Sequence, residues 1–219
     1  MQFLYRKLQL LNNKTNQKQT YMKSNDIASK TNWLIDQENC EIGFIVRHLV
    51  ISRVKGEFKT FDARITTTGR NFRTARIEFW ADTASITTNH VKRDRHLKSG
   101  DFFDVKNHRH ITFVSTSIGM SALNGDHDMW GDLTMMGITR KIKLNVHFGG
   151  VLNDHWGYER AAFTVSGIIN RCDWGLTWNA SSETEGFVMG DEVEILCEVE
   201  LTNKVCTGAE MQSEMADVY

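Results

Sequence analysis

The sequence predicts an all-β protein in which antiparallel strands form a single domain. The first observation is a period of two, because apolar and polar residues alternate in "KIKLNVHF" (141–148) and again in "DEVEILCEVEL" (191–201). The second is that Gly, Asn and Asp separate such segments in a chain without proline. The third is that no repeat or low-complexity linker divides residues 33–201. Period and spacing alone fit either a sandwich or a closed barrel.

The remaining strands follow from the same alternation and from the turn residues between them. The predicted segments are 33–36, 40–47, 57–66, 73–82, 111–118, 128–135 and 160–169. The predicted turns are Gly69 to Asn71, Asn124-Gly125, Gly149-Gly150, Asn153-Asp154 and Gly190-Asp191. A bulge near Thr60 to Ala63 would reverse which side chains point inward, because successive residues of a strand face opposite sides.

The long interruption of the strand pattern lies between Asp82 and Ile111. Its centre, "RDRHLKSGDFFD" (93–104), places basic side chains beside two phenylalanines. The residues able to cap a short helix that ends near Leu97 are Ser85, Thr87, Thr88 and Asn89, and Ser99 could cap a further turn. We therefore predict a helical crossover at 86–104 that covers one end of the strand structure.

The overall charge argues against functions that need a strongly charged surface. The 219 residues have a formal net charge of -1 and are 41% hydrophobic, a composition typical of a folded protein with a substantial core. No glycine-rich loop follows a strand and opens a helix, and the basic-aromatic stretch at 93–103 is too short for a nucleic-acid platform. We expect no nucleotide or nucleic-acid partner.

The domain is predicted to span residues 32–202, with a flexible N-terminal extension at 1–31 and a C-terminal tail at 203–219. No segment resembles a secretory signal or reaches the ~20 apolar residues of a membrane-spanning helix. A cytoplasmic location is therefore expected. Two alternatives for the extension stay open, a true start at Met22 or a short amphipathic anchor that includes Leu8.

Neither metal binding nor catalysis has a supporting motif. Cys40, Cys172, Cys197 and Cys206 form no CxxC pair and are expected to be reduced thiols. The weak metal candidates are His108 and His110 with His96, His127 or His155 as a third ligand. The weak catalytic candidates are Asp126, Asp128 and Asp132 near His127, and Asp154, His155 and Glu159. We predict no catalytic residues, no metal and no required cofactor.

Several longer motifs, in a consistent order, carry a resemblance to a known family. They are "NWLIDQENCEIGFIVRHLVISRVKGEFKTFD" (32–62), "SITTNHVKRDRHLKSGDFFD" (85–104), "GDLTMMGITRKIKLNVHFGG" (131–150) and "INRCDWGLTWN" (169–179). The sequence resembles the YceI-like family of polyisoprenoid-binding, lipocalin-like proteins. The resemblance implies an eight-stranded antiparallel barrel with a short helical crossover. It also implies a lumen that holds a long-chain isoprenoid or acyl lipid, and dimerisation in many members.

Two sets of residues follow as candidates for ligand contact. The lumen candidates are Ile42, Phe44, Val46, Ile77, Phe79, Ile142, Leu144, Val146, Phe148, Val193, Ile195 and Val199. The mouth or lid candidates are Arg93, Asp94, His96, Lys98, Phe102, Phe103, Arg171, Asp173, Trp174 and Trp178. The residues alone leave open a filled core, structural ion pairs and tryptophans that only pack the barrel end. The resemblance favours a cavity.

The predicted function is noncovalent binding of a long-chain isoprenoid or fatty lipid, with transport or sequestration as its purpose. The expected partners are the lipid ligand, a transient contact of the basic crossover with a membrane surface, and a second copy in a homodimer. Two alternatives stay open, a metal-dependent or carboxylate-based enzyme on the same barrel and an interaction module with a filled core.

Overall fold

The computed structural model describes residues 30–48, 52–120, 126–178 and 189–204, and most of them lie in β-strands. The strands are β1 Lys30–Ile35, β2 Glu41–His48, β3 Ser52–Phe58, β4 Phe61–Thr68, β5 Asn71–Asp82, β6 Ile86–Thr87, β7 His110–Met120, β8 His127–Met135, β9 Ile138–Asn153, β10 Tyr158–Asn170 and β11 Met189–Lys204. The other described elements are the helix α1 (Val91–Leu97) and two 3-10 turns, Thr83–Ser85 and Arg171–Trp174. The predicted all-β class is confirmed.

The strands close into an antiparallel barrel. Hydrogen-bonded neighbours follow the order β4, β5, β7, β8, β9, β10 and β11, and β1 closes the ring by pairing with both β4 and β11. β2 continues along β11 where β1 leaves it, and β3 runs beside β2. Because β1 with β2 and β3 with β4 each act as one broken strand, the predicted barrel of eight strands is confirmed.

The wall reverses its inward face where β3 passes into β4. Gly56 and Phe58 are buried in β3, whereas Phe61 and Ile65 are buried in β4. Even-numbered residues face inward in β3 and odd-numbered residues face inward in β4. The alternation shifts because the two residues between these strands are not part of either one. The continuous strand predicted at 57–66 is therefore wrong, and the expected irregularity lies close to its predicted place.

Two predicted turns are strand irregularities instead. Gly149-Gly150 lies inside β9, where the register against β10 shifts between Ala162 and Phe163 and Gly150 has a φ of 122°. Such a bulge uses a backbone conformation that glycine adopts readily. Gly190-Asp191 lies inside β11, within a register shift against β2. The turn predicted at Asn124-Gly125 falls outside the described residues, as does most of both predicted chain extensions.

The helical crossover is present, but a different residue caps its helix. His90 is the N-cap of α1, and its Nδ1 accepts a hydrogen bond from the Arg93 amide at 3.3 Å. Thr87 and Thr88, predicted as caps, donate hydrogen bonds to the Asp94 carboxylate instead. The first turn of α1 is thereby held to the segment that precedes it.

Buried apolar side chains form two clusters. The larger lies under the crossover and includes Phe102, Phe103 and Trp174. The smaller lies towards the β4–β5 turn and includes Trp33 and Ile65. The described helix is too short and too polar to cross a membrane. Residues of both clusters face the interior of the barrel.

Candidate functional site

An apolar cavity of about 420 Å³ occupies the barrel. This volume lies within the range of small-molecule sites, about 300 to 1,000 Å³. The residues predicted to face the lumen all line it: Ile42, Phe44, Val46, Ile77, Phe79, Ile142, Leu144, Val146, Phe148, Val193, Ile195 and Val199. The interior is therefore not packed shut, and contact of these residues with a ligand stays a prediction.

Two glycines make room for aromatic rings at the wall of the cavity. A Cβ at Gly56 would overlap the ring of Phe44, and a Cβ at Gly131 would overlap the ring of Phe113. Both rings line the cavity. Each ring occupies space that a side chain on the neighbouring strand would otherwise take, so it lies close to the backbone of the wall.

Buried aromatic side chains close the crossover end of the cavity. Phe102 is 5% exposed, and Phe103 packs edge-on against Phe58 with 6.0 Å between the ring centroids. Outside them, the His96 ring lies 5.1 Å from the Phe102 ring and 4.5 Å from the Trp178 ring. Phe102 and Phe103 thus cover the crossover end of the cavity, and His96 and Trp178 form a second layer outside them.

Arg93 and Asp94 are engaged in the local structure of the crossover. Arg93 donates from Nε to the Thr88 hydroxyl at 2.7 Å and from Nη2 to the Thr88 carbonyl at 2.9 Å. Asp94 accepts from the Thr88 amide at 2.8 Å. The predicted mouth residues of this segment that do not line the cavity are Arg93, Asp94, His96 and Lys98.

Arg171 is a buried structural residue whose acidic partner is Asp191. An extended strand at 171–173 would place the side chains of Arg171 and Asp173 on one face, where they could pair across the barrel rim, but residues 171–174 form a 3-10 turn. Arg171 is 4% exposed, whereas Asp173 is exposed. The Arg171 guanidinium donates to Asp191 and to the carbonyls of Leu176, Trp178 and Gly190. It joins the turn to the start of β11.

Trp174 fills the place where β9 and β10 separate. Their ladder runs only as far as Asn145 and Ser166, although β9 begins at Ile138. Trp174 is fully buried there, and its indole N–H donates to the Leu133 carbonyl at 3.1 Å. Of the two interpretations of this tryptophan, packing of the barrel end is the one that the geometry shows.

The opposite end of the cavity reaches a gap between β5 and β7. These strands pair only as far as Glu78 and Val114, although β5 extends back to Asn71 and β7 onward to Met120. We call this gap, between residues 71–77 and 115–120, the β5–β7 slot. The cavity-lining residues that are exposed all lie towards this end: Arg70, Asn71, Arg73 and Phe148.

Four carboxylates of the two acidic clusters have a basic side chain as partner. Asp128 pairs with Lys143 at 2.9 Å, Asp154 pairs with Arg160 at 2.8 Å, and Glu159 pairs with Arg70. Asp126 is hydrogen-bonded to the His147 ring at 2.7 Å. Within the described part of the chain, no group of three His, Cys, Asp or Glu side chains is arranged to hold a metal ion. The clusters thus have the geometry of structural ion pairs on the barrel surface and rim.

Comparison with known proteins then assigns the chain to a family. Residues 33–201 match the YceI-like domain. The chain belongs to the YceI-like family. A UPF0312 protein of Staphylococcus aureus is 35% identical over 173 residues, which cover 78% of this chain and 98% of that protein.

Solved structures show the same barrel. The YCEI protein of Campylobacter jejuni has a TM-score of 0.62 and 31% sequence identity, covering 73% of this chain and 90% of that chain. A polyisoprenoid binding domain from Saccharophagus degradans has a TM-score of 0.57 and 14% identity, covering 79% of this chain and 99% of that chain. At that identity, the second likeness shows the fold alone.

The described cysteines of this YceI-like chain are free thiols, with Cys40 partly buried and Cys197 buried. The Cys40 thiol donates to the Glu200 carbonyl at 3.4 Å and does not line the cavity. Burial raises the pKa of Cys40, and it raises the pKa of Cys197 to about 12. Both thiols are therefore poor nucleophiles at neutral pH.

Sequence reasoning missed the YceI-like residues at the slot end of the cavity. Arg70, Phe72, Arg73 and His127 line the cavity, but none of them is among the lumen or mouth candidates. The Phe72 ring lies 4.9 Å from the ring of Trp33, within the smaller apolar cluster. A signal existed, since "RNFR" (70–73) breaks the alternation of β5 just after the turn. Alternation alone could not say that this irregular segment meets the lumen.

Proposed function

We propose that the barrel binds a long-chain isoprenoid or fatty lipid noncovalently in its cavity. The observation that carries the proposal is the cavity, whose lining is hydrocarbon except for a few residues. Its polar or charged lining side chains lie at the ends: Arg70, Asn71, Arg73 and His127 towards the slot, and Arg171 under the crossover. The fold shared with a polyisoprenoid binding domain from Saccharophagus degradans supports this class of ligand.

The energetics of transfer favour a carrier. Burying a chain from water gains roughly 0.8 kcal/mol per CH₂, and for a long lipid that sum soon passes the limit of about -20 kcal/mol found for the tightest complexes. A lipid that comes from a membrane has a tail that is already dry, so its transfer into the cavity is close to neutral. Selectivity then depends on the shape of the cavity and on the few polar groups at its ends.

We further propose that the protein shuttles or sequesters its lipid and has no catalytic role. A near-neutral transfer allows both uptake and release. The candidate carboxylates Asp128 and Asp154 form ion pairs with Lys143 and Arg160, which supports a structural role for them. The homodimer, the contact with a membrane surface and the cytoplasmic location stay predictions.

The first test is to identify what the purified full chain carries. Native mass spectrometry and solvent extraction should recover one lipid per barrel, with an apolar tail. A bound metal without lipid would shift the proposal towards an enzyme, and a barrel that neither carries nor takes up any lipid would contradict binding.

The second test changes the inward face of β5. Ile77→Asp puts a carboxylate into the apolar lining, where an unpaired charge is costly, so lipid affinity should fall at least about tenfold. Binding is measured by equilibrium dialysis with labelled palmitate, and circular dichroism shows whether the variant is folded.

The matched control is Leu34→Asp, which introduces the same side chain at a position 68% exposed on the outer face of the barrel. Its affinity should equal that of the wild type. Unchanged affinity in a folded Ile77→Asp variant would show that the inward assignment of this row is wrong.

A further inference from the structure

The β5–β7 slot is bordered by irregular backbone on both strands. In β5, residues 72–75 stand opposite Thr67 alone, since the paired residues pass from Thr66–Arg76 to Thr68–Asn71. In β7, the register against β8 shifts at Thr116, between Ser115 and Ser117. Bulges bend a strand and re-aim its side chains. The two hairpins β4–β5 and β7–β8 therefore separate below Glu78 and Val114.

The cavity extends to both borders of this slot. Arg73, Ala75 and Ile77 line it from β5, and Ile118 lines it from β7. The side-chain bond across the top of the slot, from the Ile77 amide to the Ser115 hydroxyl at 2.9 Å, marks the point where the wall ends. The crossover end is closed by buried Phe102 and Phe103, so the described residues leave the slot as the way in.

The charges at the slot are unequal in how they are paired. Arg70 forms an ion pair with the buried carboxylate of Glu159, which also accepts a hydrogen bond from Asn203. Arg73 lines the cavity and is exposed, and no acidic partner for its guanidinium occurs in the described part of the chain. Of the acidic residues at the start of β8, Asp128 forms an ion pair with Lys143, and Asp126 is hydrogen-bonded to the His147 ring. An unpaired guanidinium thus lies at the polar end of an apolar cavity.

From this arrangement we propose that the lipid enters through the β5–β7 slot and that Arg73 binds an anionic head group, a carboxylate or a phosphate, on the bound chain. The proposal rests on the proposed function and adds the end of the barrel, the residue and the charge of the ligand. A guanidinium pairs with either anion through two parallel hydrogen bonds, which a neutral alcohol head cannot accept in the same way. The tail then runs from the slot towards Phe102 and Phe103.

The first experiment compares three ligands of one chain length, palmitate, hexadecyl phosphate and hexadecanol, by equilibrium dialysis below their aggregation concentrations. Arg73→Gln should weaken both anions about tenfold, because a hydrogen-bonded charge pair at a partly exposed site is lost, and leave hexadecanol unchanged. Arg73→Lys should recover part of the loss. Arg76→Gln, which removes an exposed charge three residues away that does not line the cavity, should bind all three ligands as the wild type does.

The outcomes separate the two proposals. If no ligand binds to the wild type, the proposed function fails. If all three bind and Arg73→Gln treats them alike, lipid binding stands and the head-group assignment is overturned. The same measurement is made with inorganic phosphate alone. Phosphate binding that depends on Arg73 and does not compete with palmitate would show a site for a free anion, and it would also overturn the head-group assignment.

The second experiment locates the head. Stearate with a nitroxide at carbon five is added to ¹⁵N-labelled wild-type protein, and the loss of amide signals is mapped. Signals of residues 71–75 and 115–119 should broaden first. Strongest broadening at Val91–Leu97, around α1, would place the head at the crossover end and overturn the proposed entrance.

Discussion

The arginines of this barrel differ in how completely their guanidinium groups are paired. Arg171 is surrounded by acceptors, and Arg160 contacts Asp36, Asp154 and Glu200, which together raise its pKa. Arg73 has no such partner among the described residues. The resemblance indicated Arg171 as a site residue. Its structural role could not be predicted, because the alternation of apolar and polar residues that identifies strands does not reveal a 3-10 turn.

Replacing Arg171 by alanine should destabilise the fold. The variant leaves backbone carbonyls of Leu176, Trp178 and Gly190 without their donor, and the loss should be about 3 kcal/mol. The measurement is the free energy of unfolding in urea. Arg140→Ala is the control, because Arg140 is exposed and donates to one carbonyl at 3.3 Å, and it should change stability by less than about 0.5 kcal/mol. A loss below about 1 kcal/mol in Arg171→Ala would contradict a structural role.

At the scale of elements, alternation predicted strands well and their irregularities poorly. The rows through Ile142 and Val193 line the cavity, because alternation places one face of each strand on the inside of the barrel. The glycines at 149–150 were read as a turn because a bulge and a turn use the same residue types. The helix cap was missed because His90 is not a common cap, while the threonines beside it bind Asp94 instead.

The anchoring of the crossover by Asp94 should depend on pH. Partial burial raises the pKa of this carboxyl, but hydrogen bonds from the Thr88 hydroxyl, the Thr88 amide and the Thr87 hydroxyl outweigh it, so the folded pKa is below the usual aspartate value of 3.8. The stabilisation is therefore complete well above pH 3.8 and is lost as the pH falls through the folded value.

Hydrogen exchange of the amides of α1, compared with those of β10, is the measurement. In the wild type, protection of α1 should fall more than that of β10 between pH 6 and pH 3, after correction for intrinsic exchange rates. Asp94→Asn, which cannot titrate, should show lower protection at pH 6 and little of this extra fall. An equal pH effect in both proteins would assign the change to other carboxylates, such as Asp36, whose pKa is also lowered.

At the scale of the whole molecule, the barrel has one end closed by aromatic side chains and one end with an incomplete wall. The eight-strand topology could be anticipated from the order of the family motifs. The direction of the cavity could not, because it depends on where the ladder between β5 and β7 stops. The number of residues that two strands pair depends on both strands together. The residues of β5 or of β7 alone therefore do not reveal where the two strands separate.

Lipid binding should stabilise the whole barrel. A ligand that binds only the folded state adds about 2.7 kcal/mol at a concentration of one hundred times its Kd, which corresponds to a rise in Tm of roughly 5 to 10 °C for a domain of this size. Differential scanning calorimetry with palmitate checks this. Ile77→Asp, with a Kd at least about tenfold higher, should show at most about half of this rise at the same ligand concentration. A rise of equal size in that variant would mean that palmitate stabilises the protein from outside the cavity.

The glycines that make room for the rings of Phe44 and Phe113 have a consequence for the width of the cavity. Each ring fits only because the residue beside it on the neighbouring strand has no side chain. The two rings therefore determine the width of the cavity at two positions. A smaller side chain at either ring would widen the cavity locally without altering any strand register. Replacing Phe44 or Phe113 by a smaller residue should therefore make room for a methyl-branched chain where the wild type admits a slender straight one.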